Sequence, residues 1–439
     1  MSVHRTRTAV IGAVGALTLL AAAACSSDTA TGGTSSPAAA ATSSAAGSAT
    51  GSEGGGGSEA PAAGGAQLQL LFGSSGTAET DALTEAADAW GSENDSTVEV
   101  TAAQDLTQQL AQGFSSGTAP DVFYVGADQV ANYAKAGNLL PYGDELSNAD
   151  DFYPVLKDAF TYDGTFYCAP KDMSTLALFI NTDLWAAAGL TDADIPTTWD
   201  QLATVAAKLN TGGAAGLSVA PERDRVDAFL VQNGSYLVAE DGTTITANDP
   251  KNAEALGFVK KMITDGVLKT PAELDSGWAG EAFGKGAAAM TIEGNWLLGA
   301  LKSDYPDLKY TVAELPAGPT GTKGTLVFTN CWGISATTQF PEQAKSFVEY
   351  MTSTDQQMAF ATAFGVIPSV ESAQADYLSE FAANEPFVKG VDYARGVVNL
   401  PGITDVLADF NSQLQDLANA DPQAILDSVQ ENLTAAVGG

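Results

Sequence analysis

Between Ser26 and about Ala66 the chain is almost entirely Ala, Ser, Thr and Gly, with a glycine run at Gly54–Gly57 and hardly any large apolar side chain. Such a stretch cannot bury enough surface to offset the entropy of ordering it, so whatever folds must begin near Gln67. It reads as a flexible tether with a root-mean-square reach of about 35 Å. Beyond it lie about 370 residues, above the size at which one hydrophobic core usually divides, so two lobes are expected. Hydrophobic residues make up 45% of the sequence, which places this body among globular chains.

Ahead of the tether stand Arg5 and Arg7, the apolar run Ala9–Leu20, and Ala21–Ala24 directly before Cys25. A basic region, a short apolar stretch and small residues before a cleavage point read as a secretory signal over residues 1–24. The run is too short, and too rich in Ala and Gly, for a good permanent membrane span. A cysteine placed there resembles the lipobox of bacterial lipoproteins, although Ala22 stands where Leu is commoner. The resemblance implies a lipid on Cys25, with residues 25–66 forming the lipidated cysteine and its linker. More than one acyl chain would hold the protein stably at the outer face of the cytoplasmic membrane. An ordinary secreted protein with an unmodified cysteine is the alternative.

Cleavage would also remove His4, the only histidine. Without imidazole there is no Ser-His-Asp or Cys-His machinery and no common His-containing zinc site. No GxxxxGK[ST] loop is present, so phosphoryl transfer is unsupported. The formal net charge of −34 repels nucleic acid and anionic headgroups. With Arg223, Arg225 and Arg395 as the guanidinium forks of the body, phosphorylated ligands are disfavoured too. No cofactor and no metal are expected.

The apolar run Leu68–Phe72 ends in Gly73-Ser74-Ser75-Gly76, the pattern of a buried strand delivering a polar loop. A helical spacing of Leu83, Ala86, Ala87 and Trp90 follows, then a strand at Thr97–Thr101, a helix at Leu106–Phe114 and a strand at Asp121–Val125. Strand, helix, strand in repetition argues for an α/β domain with a mainly parallel sheet. Ligands of such sheets bind beyond the carboxyl ends of the strands, which exposes the loops at Gly73–Thr77 and Gly126–Asp128 to one cleft. A second set begins with strand Leu176–Asn181, and helices dominate toward the C-terminus.

Several segments together resemble the family 1 extracellular solute-binding proteins, the maltose- and multiple-sugar-binding receptors of ABC importers. They are Gly117-Thr-Ala-Pro-Asp121-Val, Ala134-Lys-Ala-Gly-Asn-Leu-Leu-Pro141, Tyr167-Cys-Ala-Pro170, Leu178-Phe-Ile-Asn-Thr-Asp183-Leu and Pro196-Thr-Thr-Trp199-Asp-Gln-Leu202. Further on come Phe283-Gly-Lys-Gly-Ala-Ala-Ala-Met290, Gly294-Asn-Trp296, Trp332-Gly-Ile-Ser335 and Gly365-Val-Ile-Pro368. The resemblance implies a two-lobed, periplasmic-binding-protein-like α/β fold of type II, with a ligand cleft between lobes. Three hinge crossings would fall at residues 170–175, 330–333 and 367–369. The N-terminal lobe would take residues 67–171 and 333–367, and the C-terminal lobe residues 175–329 and 370–439.

Sugars present apolar C–H faces flanked by hydroxyls, so such a site needs aromatic plates and buried acceptors and donors. Trp296 sits where this family commonly places a stacking aromatic; packing of the following helix is the other reading. Trp278, in a Gly-rich loop, and Trp332, at the second crossing, are further candidate plates, whereas Trp90 and Trp199 read as structural. Asp128 matches a ligand-binding carboxylate of the family and suits two sugar hydroxyls; it could equally cap the helix that follows. Ser74, Ser75, Gln104, Asp105, Asp172, Glu222 and Asn295 are weaker candidates. Asp121 reads as structural, and Arg223 as a member of an ion pair. Cys168 and Cys331 both fall near crossings in an oxidising compartment, which leaves open a disulfide between hinge strands or two buried free thiols.

The function implied is a monomeric, lipid-anchored receptor that captures a carbohydrate, an oligosaccharide by the number of plates, and passes it to ABC permease transmembrane subunits. A surface glycoside hydrolase with paired carboxylates, or a ligand-sensing lipoprotein, are the competing readings.

Overall fold

The computed structural model describes residues 65–210 and 213–438. The segment expected to be a signal peptide, Cys25 and nearly all of the expected tether lie outside the described residues. The chain opens as β1 (Gln67–Phe72), α1 (Thr77–Glu93), β2 (Thr97–Ala102), α2 (Leu106–Ser116), β3 (Val122–Gly126) and α3 (Ala127–Lys135). β1 pairs in parallel with both β2 and β3, as strand–helix–strand order requires, because a parallel partner needs a crossover connection. Leu83, Ala86, Ala87 and Trp90 bury one stripe of α1 against that sheet.

After a short helix (Pro154–Ala159) and a two-stranded hairpin come β4 (Ala169–Pro170) and β5 (Ser174–Asn181). There follow β6 (Leu217–Ser218), α4 (Arg223–Gln232), β7 (Leu268–Lys269), α5 (Ala279–Gly284), β8 (Met290–Gly294), α6 (Trp296–Asp304), β9 (Tyr310–Ala313) and β10 (Thr325–Phe328). The chain then returns as β11 (Asn330–Ile334) and ends among helices that include α7 (Thr354–Phe364) and α8 (Ile403–Leu414), with β12 (Ala394–Arg395) between them. One sheet has the order β2-β1-β3-β11-β4. The other runs β12-β10-β5-β8-β6-β7, with β9 also on β5. Every residue of β5 is buried, which is why Leu176–Ile180 reads as a continuous apolar run and not as an alternation.

Two sheets give two principal cores. Leu68, Phe72, Phe123, Val130, Ile334 and Phe347 belong to one; Leu178, Phe229, Met290, Ile292, Ile403 and Phe410 belong to the other. A third cluster, including Met173, Phe179, Leu297, Ile367 and Phe387, packs on the other face of β5 and reaches the crossings at Met173 and Ile367. The chain leaves the first sheet at β4 and enters the second at β5 through Lys171–Met173. It returns between β10 and β11, at Thr329, so the crossing expected at 330–333 is displaced: those residues are strand, paired with β3 and β4. Ile367 forms an isolated bridge with Met173, and Ser369 Oγ donates to the Pro170 carbonyl at 2.8 Å. Gln357 ties the same region together, donating to the Lys171 carbonyl and accepting from Ser369 N, both at 2.8 Å.

Cys168 and Cys331 form a disulfide, their Cα atoms 5.6 Å apart. Both belong to the first sheet region, so the bond staples the segments entering the first crossing and leaving the second.

Candidate functional site

The second sheet delivers Trp296. β8 ends at Gly294, and α6 begins two residues later. A Cβ on Gly294 would lie 2.1 Å from the Trp296 ring, so only glycine lets the indole fold back over the strand end. The ring is held on three sides. Its Nε1 donates to Glu293 Oε2 at 3.0 Å, and the Arg225 guanidinium lies 5.1 Å from its centroid. Phe328 meets it edge-on, with centroids 5.4 Å apart. Trp296 is nonetheless 39% exposed, a large, immobilised, open aromatic face. Glu293 itself is buried; burial pushes its carboxyl up despite the opposing pull of Arg225 and the hydrogen bond from Trp296.

Trp278, at the N-cap of α5, is the other exposed tryptophan. It folds over Gly280, where an added Cβ would strike both its ring and Leu297, placing it beside the start of α6. Glu222 is exposed at the N-cap of α4 with its side chain making no cap bond. Arg223 pairs with Asp224 at 3.0 Å, as an ion-pair reading requires.

The first sheet carries its candidate groups in the loops and turns at the ends of its strands. Asp128 is half-buried in the first turn of α3, beside the favourable end of the helix dipole. The N-cap is Gly126, so the capping alternative for Asp128 falls away. Asp128 Oδ1 and Asn330 Oδ1 both face the bare Cα of Gly126, at 2.8 and 3.7 Å from where a Cβ would stand. Ser74 and Ser75 lie in the loop after β1. Ser74 bonds to the Gly76 carbonyl and to Thr80, while the amide and hydroxyl of Ser75 both donate to Glu79 Oε2 at 2.7 Å.

Glu79 begins a buried network that sequence reading did not find. Its other oxygen accepts from Lys171 Nζ at 3.3 Å and from the Tyr124 hydroxyl at 3.1 Å, and Lys171 also pairs with Asp172. Burial raises Glu79, but Lys171 and the Ser75 hydrogen bonds outweigh it and hold the carboxyl below its ordinary value. For Asp172 burial wins over the pull of Lys171, and its pKa rises. The Thr329 hydroxyl donates to the Asp172 carbonyl at 2.6 Å and Lys171 N to the Asn330 carbonyl at 2.8 Å, so the network joins the first crossing to the second.

Three expected ligand groups are otherwise engaged. Trp332 is 1% exposed, packed edge-on against Tyr124 and Phe347; it fills the first core and presents no plate. Asn295 donates to the Gly365 carbonyl at 2.8 Å, and its own amide bonds to Ser174 Oγ, tying α6 to the end of α7. Asp105 caps α2 through Gln108 N at 2.9 Å, with Gln104 exposed beside it.

What remains is an aromatic face from the second sheet and carboxylate and amide acceptors from the first, with every nearby cation already paired. Such a set can stack on a ring and accept hydrogen bonds from hydroxyls. Among proteins of known sequence, the model for bacterial extracellular solute-binding proteins matches residues 85–389. A putative binding protein of Brucella abortus is 27% identical over 338 residues, covering 73% of this chain and 80% of that one. The diacetylchitobiose binding protein DasA of Streptomyces coelicolor is 27% identical over 288 residues, covering 63% and 67%. In structure, the ABC substrate-binding protein Lmo0181 of Listeria monocytogenes, solved in complex with cycloalternan, superposes with a TM-score of 0.75 at 24% identity, covering 85% of this chain and 99% of that one. Two lobes around separate sheets, and a family match spanning most of the folded body, make this chain a member of the bacterial extracellular solute-binding protein family.

Proposed function

We propose that the chain is a carbohydrate receptor of an ABC importer, with an oligosaccharide as its cargo. The observation that carries this reading is Trp296, an exposed indole locked by Glu293, Arg225 and Phe328 at the carboxyl end of β8. A free loop tryptophan would lose rotamer freedom on binding; this one has lost it already, which favours stacking on a flat sugar face. Asp128 and Asn330 supply acceptors from the facing lobe, and Glu222 and Trp278 extend the surface. Relatives that bind diacetylchitobiose and cycloalternan support a neutral, multi-ring ligand. Closure of the lobes on the sugar would present the closed form to the permease subunits, with no bond made or broken. Cys25 would carry the lipid that keeps the receptor at the membrane.

The test is a thermal-shift and calorimetry screen with maltotriose, diacetylchitobiose and cellobiose. A ligand at 100 times its dissociation constant stabilises the fold by about 2.7 kcal/mol. One of these, or a longer homologue, is expected to bind with no product formed, and Trp296→Ala to abolish the shift. Turnover of the sugar, or silence across neutral oligosaccharides, would overturn the reading. For the anchor, Cys25→Ser is expected to shed the protein from membranes into the medium.

A further inference from the structure

The two lobes are also joined by hydrogen bonds between one turn of α3 and the segment entering α8. Gln129 Nε2 donates to Thr404 Oγ1 at 3.0 Å. Asn132 Oδ1 accepts from Gly402 N at 2.9 Å. Asn399 does most: its Oδ1 accepts from Ala131 N at 2.8 Å, and its Nδ2 donates to the carbonyls of Ala159 and Thr161, both at 3.3 Å. These bonds run between the cores. Val130 of α3 belongs to the first, Val398 and Ile403 to the second.

Each side of this junction also carries one half of the site. α3 holds Asp128 in its first turn. α8 is bonded to the start of α4, where Arg223 N donates to Asn411 Oδ1 at 2.8 Å, and α4 carries Arg225 beneath Trp296. We propose that Asn399, with Asn132 and Thr404, forms a clasp that sets the resting balance between closed and open lobes whatever occupies the cleft. None of the three needs to touch ligand. A contact made only in the closed arrangement raises the fraction of molecules competent to bind, and apparent affinity scales with that fraction. The amide suits the position, because one side chain supplies both an acceptor and a donor to backbone groups of the other lobe. The inference rests on the reading that the lobes move, but not on which ligand they hold.

The experiment uses the ligand-free full chain, measuring hydrogen exchange over residues 127–135 and 399–404 together with the radius of gyration by X-ray scattering. Asn399→Ala is expected to speed exchange in both segments about tenfold, the cost of losing its hydrogen bonds, and to widen the particle. Asn132→Ala and Thr404→Val, at half-exposed positions, are expected to shift both readouts in the same direction by less, with unchanged unfolding midpoints. If all three leave exchange and particle size as in the parent, the clasp is wrong. If the variants widen the particle while no sugar binds the parent, the clasp stands and the carbohydrate reading falls.

Discussion

Trp296 and Glu293 are joined by a hydrogen bond of 3.0 Å, from the indole Nε1 to a carboxylate oxygen that also receives Arg225 Nη2 at 2.6 Å. One buried oxygen thus orients the exposed plate and neutralises the cation beneath it. Glu293→Ala should leave Arg225 buried without its partner and cost on the order of 3–5 kcal/mol of stability. Glu293→Gln keeps an acceptor for the indole and should lose less stability than Glu293→Ala while still weakening ligand binding, because the guanidinium is then uncompensated. Urea unfolding alongside calorimetry separates the two effects. Equal stability losses in the two variants would show that charge, and not the hydrogen bond to Trp296, is all Glu293 supplies.

Gly294 makes the plate possible. Its substitution by Ala places a methyl group 2.1 Å from the ring, closer than any real contact, and the indole must swing away. The ring is partly exposed and can move, so Gly294→Ala should fold with a stability loss of about 1–3 kcal/mol and lose most of its affinity. Retained affinity with parent-like tryptophan fluorescence would place the sugar elsewhere.

The disulfide joins two cysteines of the first lobe and closes a loop spanning 163 positions that carries most of the second sheet. Cross-links over loops of this length restrict the unfolded chain, and removing one typically costs about 2–5 kcal/mol. Replacing Cys168 and Cys331 together by Ala should lower the urea midpoint accordingly. The site draws no atom from either sulfur, so ligand affinity measured well below that midpoint should hold.

Local order was legible in the chain because it is written in local spacing. The β1–α1–β2 unit follows from a short apolar run and a helical stripe, whereas Trp296 was singled out by the family resemblance carried in Gly294-Asn-Trp296. Trp332 misled because proximity to a crossing says nothing about which face of a strand a side chain takes; β11 is covered on both faces, and Trp332 points into the core. The Glu79–Lys171 pair was invisible for a different reason. Its members are 92 positions apart, and neither sits in a motif whose geometry would bring them together. Asn399 likewise carries no signal in its neighbours, since its partners at Ala131 and Ala159 are set by how the lobes meet.

Asp227 gives the fold a pH dependence of defined sign. It lies on α4, fully buried, with neither carboxylate oxygen hydrogen-bonded. Burial pushes its pKa from 3.8 up to about 8, with Arg223 opposing and Asp224 adding to the rise. A carboxyl raised in the folded state binds its proton more tightly there than in the unfolded chain. Its contribution is therefore favourable below the unfolded value and is lost as pH climbs from about 4 toward about 8, at up to about 1.4 kcal/mol per pH unit. Above that window both states are ionised and the loss levels off. Asp227→Asn removes the titration, so the variant should be less sensitive to pH than the parent between pH 5 and 8 and relatively more stable at the alkaline end. Unfolding midpoints measured across that range decide it: parallel curves for the two proteins would mean that Asp227 is ionised in the fold and finds its partner in water.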